Sequence, residues 1–405
     1  MKRRDFLLKS GGLLGAIIPA AAIGQVRPCP PDLTGGSSSG CGQGQSEGAP
    51  AWFASLRNLE AAAPVTNWLG ASGAKDPGSG LGNHAGIITA WTGMGIDQRS
   101  RTAFMMHNGG HSDYFGNEVY SVDLSDESPA WIRRRDASTP TGSGDVSAFA
   151  DGRPSSDHTG GLYVAAEGRW FTCGMNSRNY NGGSDKARWW EYDPVIDDYI
   201  DLGSNHVSGG GQFGTAVYDK NARHAITIHV DNVSGANVSF TSLDNMEGPP
   251  DVGNYNWLGF NNSAMAAVDT TNKILLMRMG NDYRFLKIDS DTNRQASYST
   301  VSASGSAPSA RNQIYWHEPS QAFITWGGGN SIAKLTPTVS DGSYTSLTWS
   351  RVSVNGTSLP SSGPPAGMWD KVNLIENMGN ADSALVIVPR YANPDTYVIR
   401  IIGST

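Results

Sequence analysis

Residues 106–124, MHNGGHSDYFGNEVYSVDL, place His107, His111, Asp113 and Tyr114 around a pair of glycines. An imidazole is the group that proteins use most often as a general acid or base, and a phenol can take the same role. Two further segments carry similar side chains, His158 in SSDHTGG and Tyr180 in SRNYNGG. We therefore predict a catalytic set formed by His111, Tyr114, His158 and Tyr180.

Arginines close to these positions suggest an anionic substrate. Arg153, Arg178 and Arg311 could each neutralise a carboxylate, and Asp113 and Trp257 add polar and stacking contacts. A cation, a base and an acid are what β-elimination from a uronic acid requires. This interpretation gives a polysaccharide lyase on a uronic-acid polymer. The alternative is a non-catalytic glycan-binding or protein-interaction module of the cell envelope.

Two other chemistries stay open on the same residues. His84, His111, His158 and His206 could hold a metal ion, although no cofactor is required by the main interpretation. Glycoside hydrolysis needs a facing pair of carboxylates, for which Asp113 and Asp157 are the candidates. A copper-radical site would use Cys173 and Tyr180, but no C-terminal histidine motif completes it.

These residues must be held by a repeated unit. Apolar strand, short polar turn and second apolar strand recur with residues Arg101, Arg169, Arg223, Lys273, Gln321 and Asp382 closing the turns, at intervals of 48 to 68 residues. A third strand follows each pair, and several units add a fourth, as in AWIRR and LTWSRV. Repeated antiparallel four-stranded units are typical of a β-propeller. The prediction is an all-β propeller of six blades, with seven as the alternative because a long polar insert follows the first unit.

The last unit ends after three strands, so a strand from the other end of the chain must complete it. AWFASL, residues 51–56, is predicted to be that strand. WFASLRNLEAAA is the one stretch that fits either a helix or a strand. In the third strand of the second unit, alternation places one of Trp189 and Trp190 in the core. Third strands end in aspartates that are expected to form turns, at Asp123, Asp193 and Asp289.

The glycine pairs after strand two (NGG, WGGG), the Tyr-Asp or Val-Asp ending of strand three and the tryptophan of strand four resemble kelch-type repeats, as in galactose-oxidase-like propellers. The resemblance covers about residues 50–402. It implies the fold and leaves the function open, because propellers host enzymes and binding proteins alike.

Propeller topology sorts the candidate residues by face. Loops between strands two and three share one face of the disc with the links between blades, which we call the link face. The turns between strands one and two lie on the opposite, turn face. All nine predicted catalytic and binding residues, with His84 and His206, belong to the link face. His317 belongs to the turn face, and His224 and His229 lie within a strand.

Three regions divide the chain. Residues 1–25 combine Arg3 and Arg4 with an apolar stretch too short to span a bilayer, which predicts an export signal of the twin-arginine type and a periplasmic or secreted bacterial protein. Residues 26–49 are a linker rich in Pro, Gly and Ser, and residues 50–405 form the propeller.

The charge balance narrows the partners. The formal net charge is −7, and removing residues 1–25, with four basic residues and one acidic, makes it about −10. An acidic chain without a basic run is a poor partner for nucleic acid or a membrane surface. We expect a monomer that binds a polysaccharide or other glycan, with no nucleic acid and no membrane insertion.

Overall fold

The computed structural model describes residues 48–66, 87, 93–106, 116–139, 163–174, 188–202, 213–231, 235–246, 251–255, 264–288, 298–309, 312–362, 371–388 and 395–403. All of them belong to one compact unit, Gln43–Thr405. Within these ranges the chain is almost entirely β, with one helix α1 (Ala51–Ala54) and two single-turn 3-10 helices (Leu243–Asn245 and Glu318–Ser320). None of the described helices is long and apolar enough to cross a membrane.

In the described part of the chain, 26 strands form six separate sheets, which are the blades of a six-bladed propeller. Blade 1 contains β2 (Gly95–Asp97), β3 (Thr102–Met106), β4 (Val119–Asp123) and β5 (Ile132–Arg135). Blade 2 contains β6 (Tyr163–Ala166), β7 (Arg169–Gly174), β8 (Arg188–Asp193) and β9 (Asp198–Asp201). Blade 3 contains β10 (Phe213–Asp219), β11 (His224–Asp231), β12 (Gly235–Ser242) and β13 (Asp251–Tyr255).

The other three blades follow in chain order. Blade 4 contains β14 (Ala264–Asp269), β15 (Ile274–Met279), β16 (Asp282–Lys287) and β17 (Ser299–Val301). Blade 5 contains β18 (Ala303–Gly305), β19 (Tyr315–His317), β20 (Ala322–Trp326), β21 (Ser331–Ser340) and β22 (Ser343–Ser353). Blade 6 contains β1 (Glu60–Val65), β23 (Asn355–Gly356), β24 (Val372–Ile375), β25 (Ser383–Ile387) and β26 (Thr396–Ile401). The prediction of six blades is confirmed, and seven is wrong.

One end strand of each sheet is the inner strand, which faces the central axis; the inner strands are β2, β6, β10, β14, β19 and β24. Inner strands contact their neighbours from β24 through β2, β6, β10 and β14 to β19, and β20 of blade 5 contacts β24 and β25 of blade 6. Both faces of a blade therefore pack against another blade. This explains why Trp189 and Trp190 are both buried, in two different interblade clusters, where alternation predicted only one in the core.

The ring closes through an N-terminal strand, as predicted, but not through residues 51–56. The closing strand is β1, which pairs antiparallel with β26. Residues 51–54 are instead the helix α1, which follows Pro50 and buries Phe53. Its first backbone N–H donates to the Glu127 carboxylate of blade 1 at 2.9 Å. The prediction failed because Trp and Phe have high strand propensity, whereas EAAAPV is rich in alanine and contains a proline.

Blades 5 and 6 differ from the predicted four strands because each gains a fifth. β18 pairs parallel with β22, and β23 pairs parallel with β1, so the segment entering each blade lies along its outermost strand. At Gly356 the backbone has φ +84°, and a Cβ there would come within 2.5 Å of the Ala61 carbonyl oxygen. These short strands satisfy backbone groups that an open sheet edge would leave unpaired.

The turns between strands one and two have the predicted form. Arg101, Arg223, Lys273 and Gln321 all adopt positive φ, as the residue that closes such a turn must. In blades 2 and 6 consecutive residues have positive φ, among them Glu167 with Gly168 and Asn380 with Ala381, and the second of each pair is one earlier than the predicted position. The third-strand aspartates also form turns where the structure describes them: Asp123 accepts from the Ser125 N–H and Asp193 from the Val195 N–H, each at 2.8 Å.

Candidate functional site

The six turns of the turn face bring one equivalent side chain from each blade to the axis. These are the residues that directly follow the inner strands: Gln98, Glu167, Lys220, Thr270, Glu318 and Glu376. Together they form what we call the floor of the central channel. The floor carries one ammonium, three carboxylates, one amide and one hydroxyl.

Lys220 is at the centre of this floor. Its Nζ lies 3.0 Å from Glu376 Oε2 and 3.7 Å from Glu318 Oε2. Lys220 belongs to blade 3 and Glu376 to blade 6, which are directly opposite in a ring of six. The ion pair therefore crosses the axis. Thr270 adds a hydrogen bond from blade 4 by donating to Glu318 Oε2 at 3.4 Å.

Further contacts extend this network around the ring. Gln98 of blade 1 donates to the Leu374 carbonyl at 2.6 Å and accepts from the Glu376 N–H at 2.8 Å, so its amide pairs with blade 6 as a peptide unit would. Arg223 of blade 3 binds both oxygens of Glu167 in blade 2, at 2.7 and 2.9 Å. Through these side chains the floor links all six blades.

The electrostatics of the floor follow from this geometry. Partial burial alone would lower the pKa of Lys220, but the carboxylates of Glu376 and Glu318 outweigh it and leave the pKa above its usual 10.5. Arg223 holds the pKa of Glu167 below its usual range through its hydrogen bonds. At neutral pH Lys220, Glu318 and Glu376 thus form paired charges at the axis on the turn face.

The sequence assigned the predicted site to the link face, and every residue predicted to bind or react there lies outside the described residues. These are His111, Asp113, Tyr114, Arg153, His158, Arg178, Tyr180, Trp257 and Arg311, together with His84 and His206 of the metal hypothesis. That these side chains lie close together stays a prediction. Among the residues that the structure describes, no group of three or more His, Cys, Asp or Glu side chains is arranged to hold a metal ion.

The flanks of the segment with His111, Asp113 and Tyr114 are described, and blade 2 binds both of them. The Tyr163 hydroxyl donates to the Met106 carbonyl at the end of β3. The Tyr199 hydroxyl donates to the Asn117 carbonyl at 3.0 Å, just before β4. The Asn117 side chain is itself buried and bonds both the hydroxyl and the backbone N–H of Ser138. Two tyrosines therefore fix the points where this segment leaves and re-enters the sheet.

A second anchor binds residues 308 and 309, which precede Arg311 in the sequence. Arg278, which is 1% exposed, donates to the carbonyls of Pro308 and Ser309 at 2.8 and 3.2 Å. Its guanidinium lies over the rings of Tyr283 and Trp349, and burial lowers its pKa. Arg278 was not singled out from the sequence, because within an apolar strand it gives no local sign of the carbonyls that it binds.

Two side-chain amides just before β19 of blade 5 also bind backbone groups, one of them in the inner strand of blade 4. Gln313 donates to the Ala266 carbonyl at 2.7 Å and accepts from the Ala266 N–H at 3.3 Å. Asn312 donates to the Trp326 carbonyl at 2.7 Å. Gln313 thus holds blade 5 to blade 4, whereas Asn312 binds β20 within its own blade.

His317 lies on the turn face, as predicted, and its role is structural. It is 2% exposed, with Nδ1 2.7 Å from Ser320 Oγ and Nε2 3.1 Å from Ser383 Oγ in blade 6. Burial, with a smaller effect from Lys334, lowers its pKa to about 4. The imidazole is neutral at pH 7 and connects blades 5 and 6.

Comparison with known proteins does not place the chain in a family. No protein-family model matches it, and no curated protein matches its sequence. An auxiliary nutrient binding protein from Bacteroides ovatus is similar over 77% of this chain and 69% of its own, with 8% identity and a TM-score of 0.46. A GH93 α-L-arabinofuranosidase of Fusarium graminearum, bound to arabinobiose, is similar over 79% and 97%, with 9% identity and a TM-score of 0.46. A chain of a mitotic checkpoint complex is similar over 78% and 89%, with 10% identity and a TM-score of 0.39. Similarity this low carries no argument about activity.

Proposed function

We propose that this propeller binds a carbohydrate polymer at its link face. The observation that carries the proposal is that Lys220, Glu376 and Glu318 pair with one another at the axis on the turn face, so the link face is the proposed side of approach. The sequence assigns its histidines, arginines and aromatic residues to that same face. A concave site rimmed by such side chains is the usual ligand site of a ring-shaped fold.

The finer proposal is a lyase that cleaves a uronic-acid polymer by β-elimination. An arginine among Arg153, Arg178 and Arg311 neutralises the uronate carboxylate, which acidifies the C5 proton. His111 or His158 takes that proton, and Tyr114 or Tyr180 protonates the leaving oxygen as the bond from C4 to that oxygen breaks. The products are a free hydroxyl on one fragment and a double bond between C4 and C5 on the other.

The anchors found on blade 2 support a role for the segment that carries His111. Catalytic side chains have to be held in place by groups outside the reaction, and Tyr163 and Tyr199 restrain both flanks of this segment. A turn with no role in binding would gain little from two buried tyrosine hydrogen bonds.

The test is incubation of the purified protein with a panel of uronate polymers, read as new ultraviolet absorbance from the unsaturated product. We expect activity on at least one polymer, and His111→Ala should remove it without changing the midpoint of thermal unfolding. Thr271→Ala, an exposed change on the turn face, is the matched control and should keep full activity.

Flat absorbance traces on every polymer, with polymer binding retained, would reject the lyase and leave a glycan-binding protein. Absorbance that disappears on chelation and returns with one added metal would instead favour the histidine metal site. Failure to bind any polymer would reject the proposal as a whole.

A further inference from the structure

We propose that Lys220 is an electrostatic latch that holds the ring closed. The proposal does not depend on what the link face binds. It starts from blade 6, which combines β1 from the N-terminal part of the described chain with β24, β25 and β26 from the C-terminal part. No covalent link joins the two parts within the blade, so this is where the ring can open.

Lys220 contacts this blade from the opposite side of the ring. Its ammonium lies 3.0 Å from Glu376, the first residue after the inner strand β24. Blade 3, which supplies Lys220, is a single uninterrupted run of four strands in which each strand pairs with the next. In blade 6 the two parts of the chain meet where β1 pairs with β26, and we call this junction the seam. The latch therefore connects blade 6, which contains the seam, to blade 3, which is built from one continuous part of the chain.

The same turn of blade 6 is also bound by blade 1. The Gln98 amide accepts from the Glu376 N–H and donates to the Leu374 carbonyl. These two bonds lie at the contact between blade 1 and blade 6. Glu376 is thus fixed by its backbone to blade 1 and by its side chain across the axis to blade 3. An opening of the seam has to break both contacts.

We expect the ion pairs of the latch to contribute little to the free energy of unfolding. The Lys220, Glu376 and Glu318 side chains are 43, 51 and 57% exposed, and ion pairs as exposed as these contribute little to stability and are screened by salt. Its effect should therefore be small in global stability, local to blade 6, and dependent on ionic strength. A buried structural ion pair would behave differently on all three counts.

The experiment is a double-mutant cycle with Lys220→Met, Glu376→Gln and the combined variant. Thermal unfolding is followed at about 10 mM and about 1 M NaCl, where the screening lengths are about 30 and 3 Å. At low salt we expect each single change to lower the unfolding midpoint by about 1 °C, and the combined variant to lose little more. At high salt the differences should shrink towards zero.

Hydrogen exchange supplies the local readout. Amide protons of β1 and β26 at the seam should exchange several-fold faster in Lys220→Met than in the native chain, while those of β15 and β16 in blade 4 should not change. Lys273→Met is the matched control, because Lys273 is an exposed lysine on the corresponding turn of blade 4, where no salt bridge to it is found among the described residues.

The proposal is overturned if Lys220→Met and Lys273→Met have the same midpoints and the same salt dependence, or if the two single changes add fully in the combined variant. Faster exchange spread evenly over all six blades would equally reject a latch on the seam. Should Lys220→Met not fold, Glu376→Gln removes the same ion pair and carries the same comparison.

Discussion

Acidification should destabilise this propeller through His317, and the structure supplies both the sign and the size. The Ser383 hydroxyl donates to the Glu376 carbonyl at 2.8 Å, so its oxygen accepts from His317. Nε2 therefore carries the proton of the neutral ring, and Nδ1 accepts from Ser320 Oγ. A second proton on Nδ1 would point at that hydroxyl inside a buried contact between two blades.

Burial lowers the pKa of His317 to about 4 in the folded chain, against an ordinary value of 6.5. Between these two values the unfolded chain binds the proton and the folded chain does not, so stability falls as the pH drops from 6.5 towards 4 and levels off below that. Each pKa unit corresponds to about 1.4 kcal/mol, so the loss of unfolding free energy approaches about 3 kcal/mol.

Urea unfolding at several pH values between 7 and 4, followed by tryptophan fluorescence, measures this loss. Carboxylates also contribute to acid denaturation, so the quantity to follow is the difference between the native chain and His317→Gln, which keeps one donor and one acceptor. The native chain should be the more stable at pH 7, and its advantage should diminish by about 3 kcal/mol on going to pH 4. An advantage that stays constant across this range would refute the assignment.

Two further changes test the packing of the blades. Tyr344→Phe removes the hydroxyl that donates to the buried Asp269 carboxylate at 2.7 Å, and should lower the unfolding free energy by about 1–3 kcal/mol in the same urea assay. Tyr298→Phe, at a partly exposed tyrosine of blade 4, is its control and should cost less. Gly356→Ala should destabilise by about 1–3 kcal/mol, because φ is +84° and the added Cβ meets the Ala61 carbonyl oxygen. A midpoint of unfolding unchanged by Gly356→Ala would mean that β23 does not hold the edge of blade 6.

The fold was predictable because its signals are local. Each blade repeats an apolar strand, a turn with one or more residues at positive φ and a second apolar strand, and the sequence identified Arg101, Arg223, Lys273 and Gln321 at such a position. The ring-closing strand was harder. Its pairing with β26 joins residues more than 330 positions apart, and β1 itself has the low strand propensity of an alanine-rich segment.

Contacts between blades could not be predicted for a different reason. Gln98, Gln313 and Lys220 occupy ordinary polar positions at the ends of strands or in turns, and nothing beside them in the sequence indicates the partner. Lys220 and Glu376 are 156 residues apart, and only the number of blades brings them face to face. The predicted ligand residues stay predictions, because the strand pattern assigns them to a face without fixing the distances between their side chains.

The ion pair across the axis also restricts how such a ring can evolve. Two blades stand directly opposite each other only when the number of blades is even. Duplication or loss of a single blade would move Glu376 off the diameter on which Lys220 lies, and would leave a lysine facing the gap between two blades. A gain or loss of one repeat unit would therefore break the ion pair across the axis of this ring.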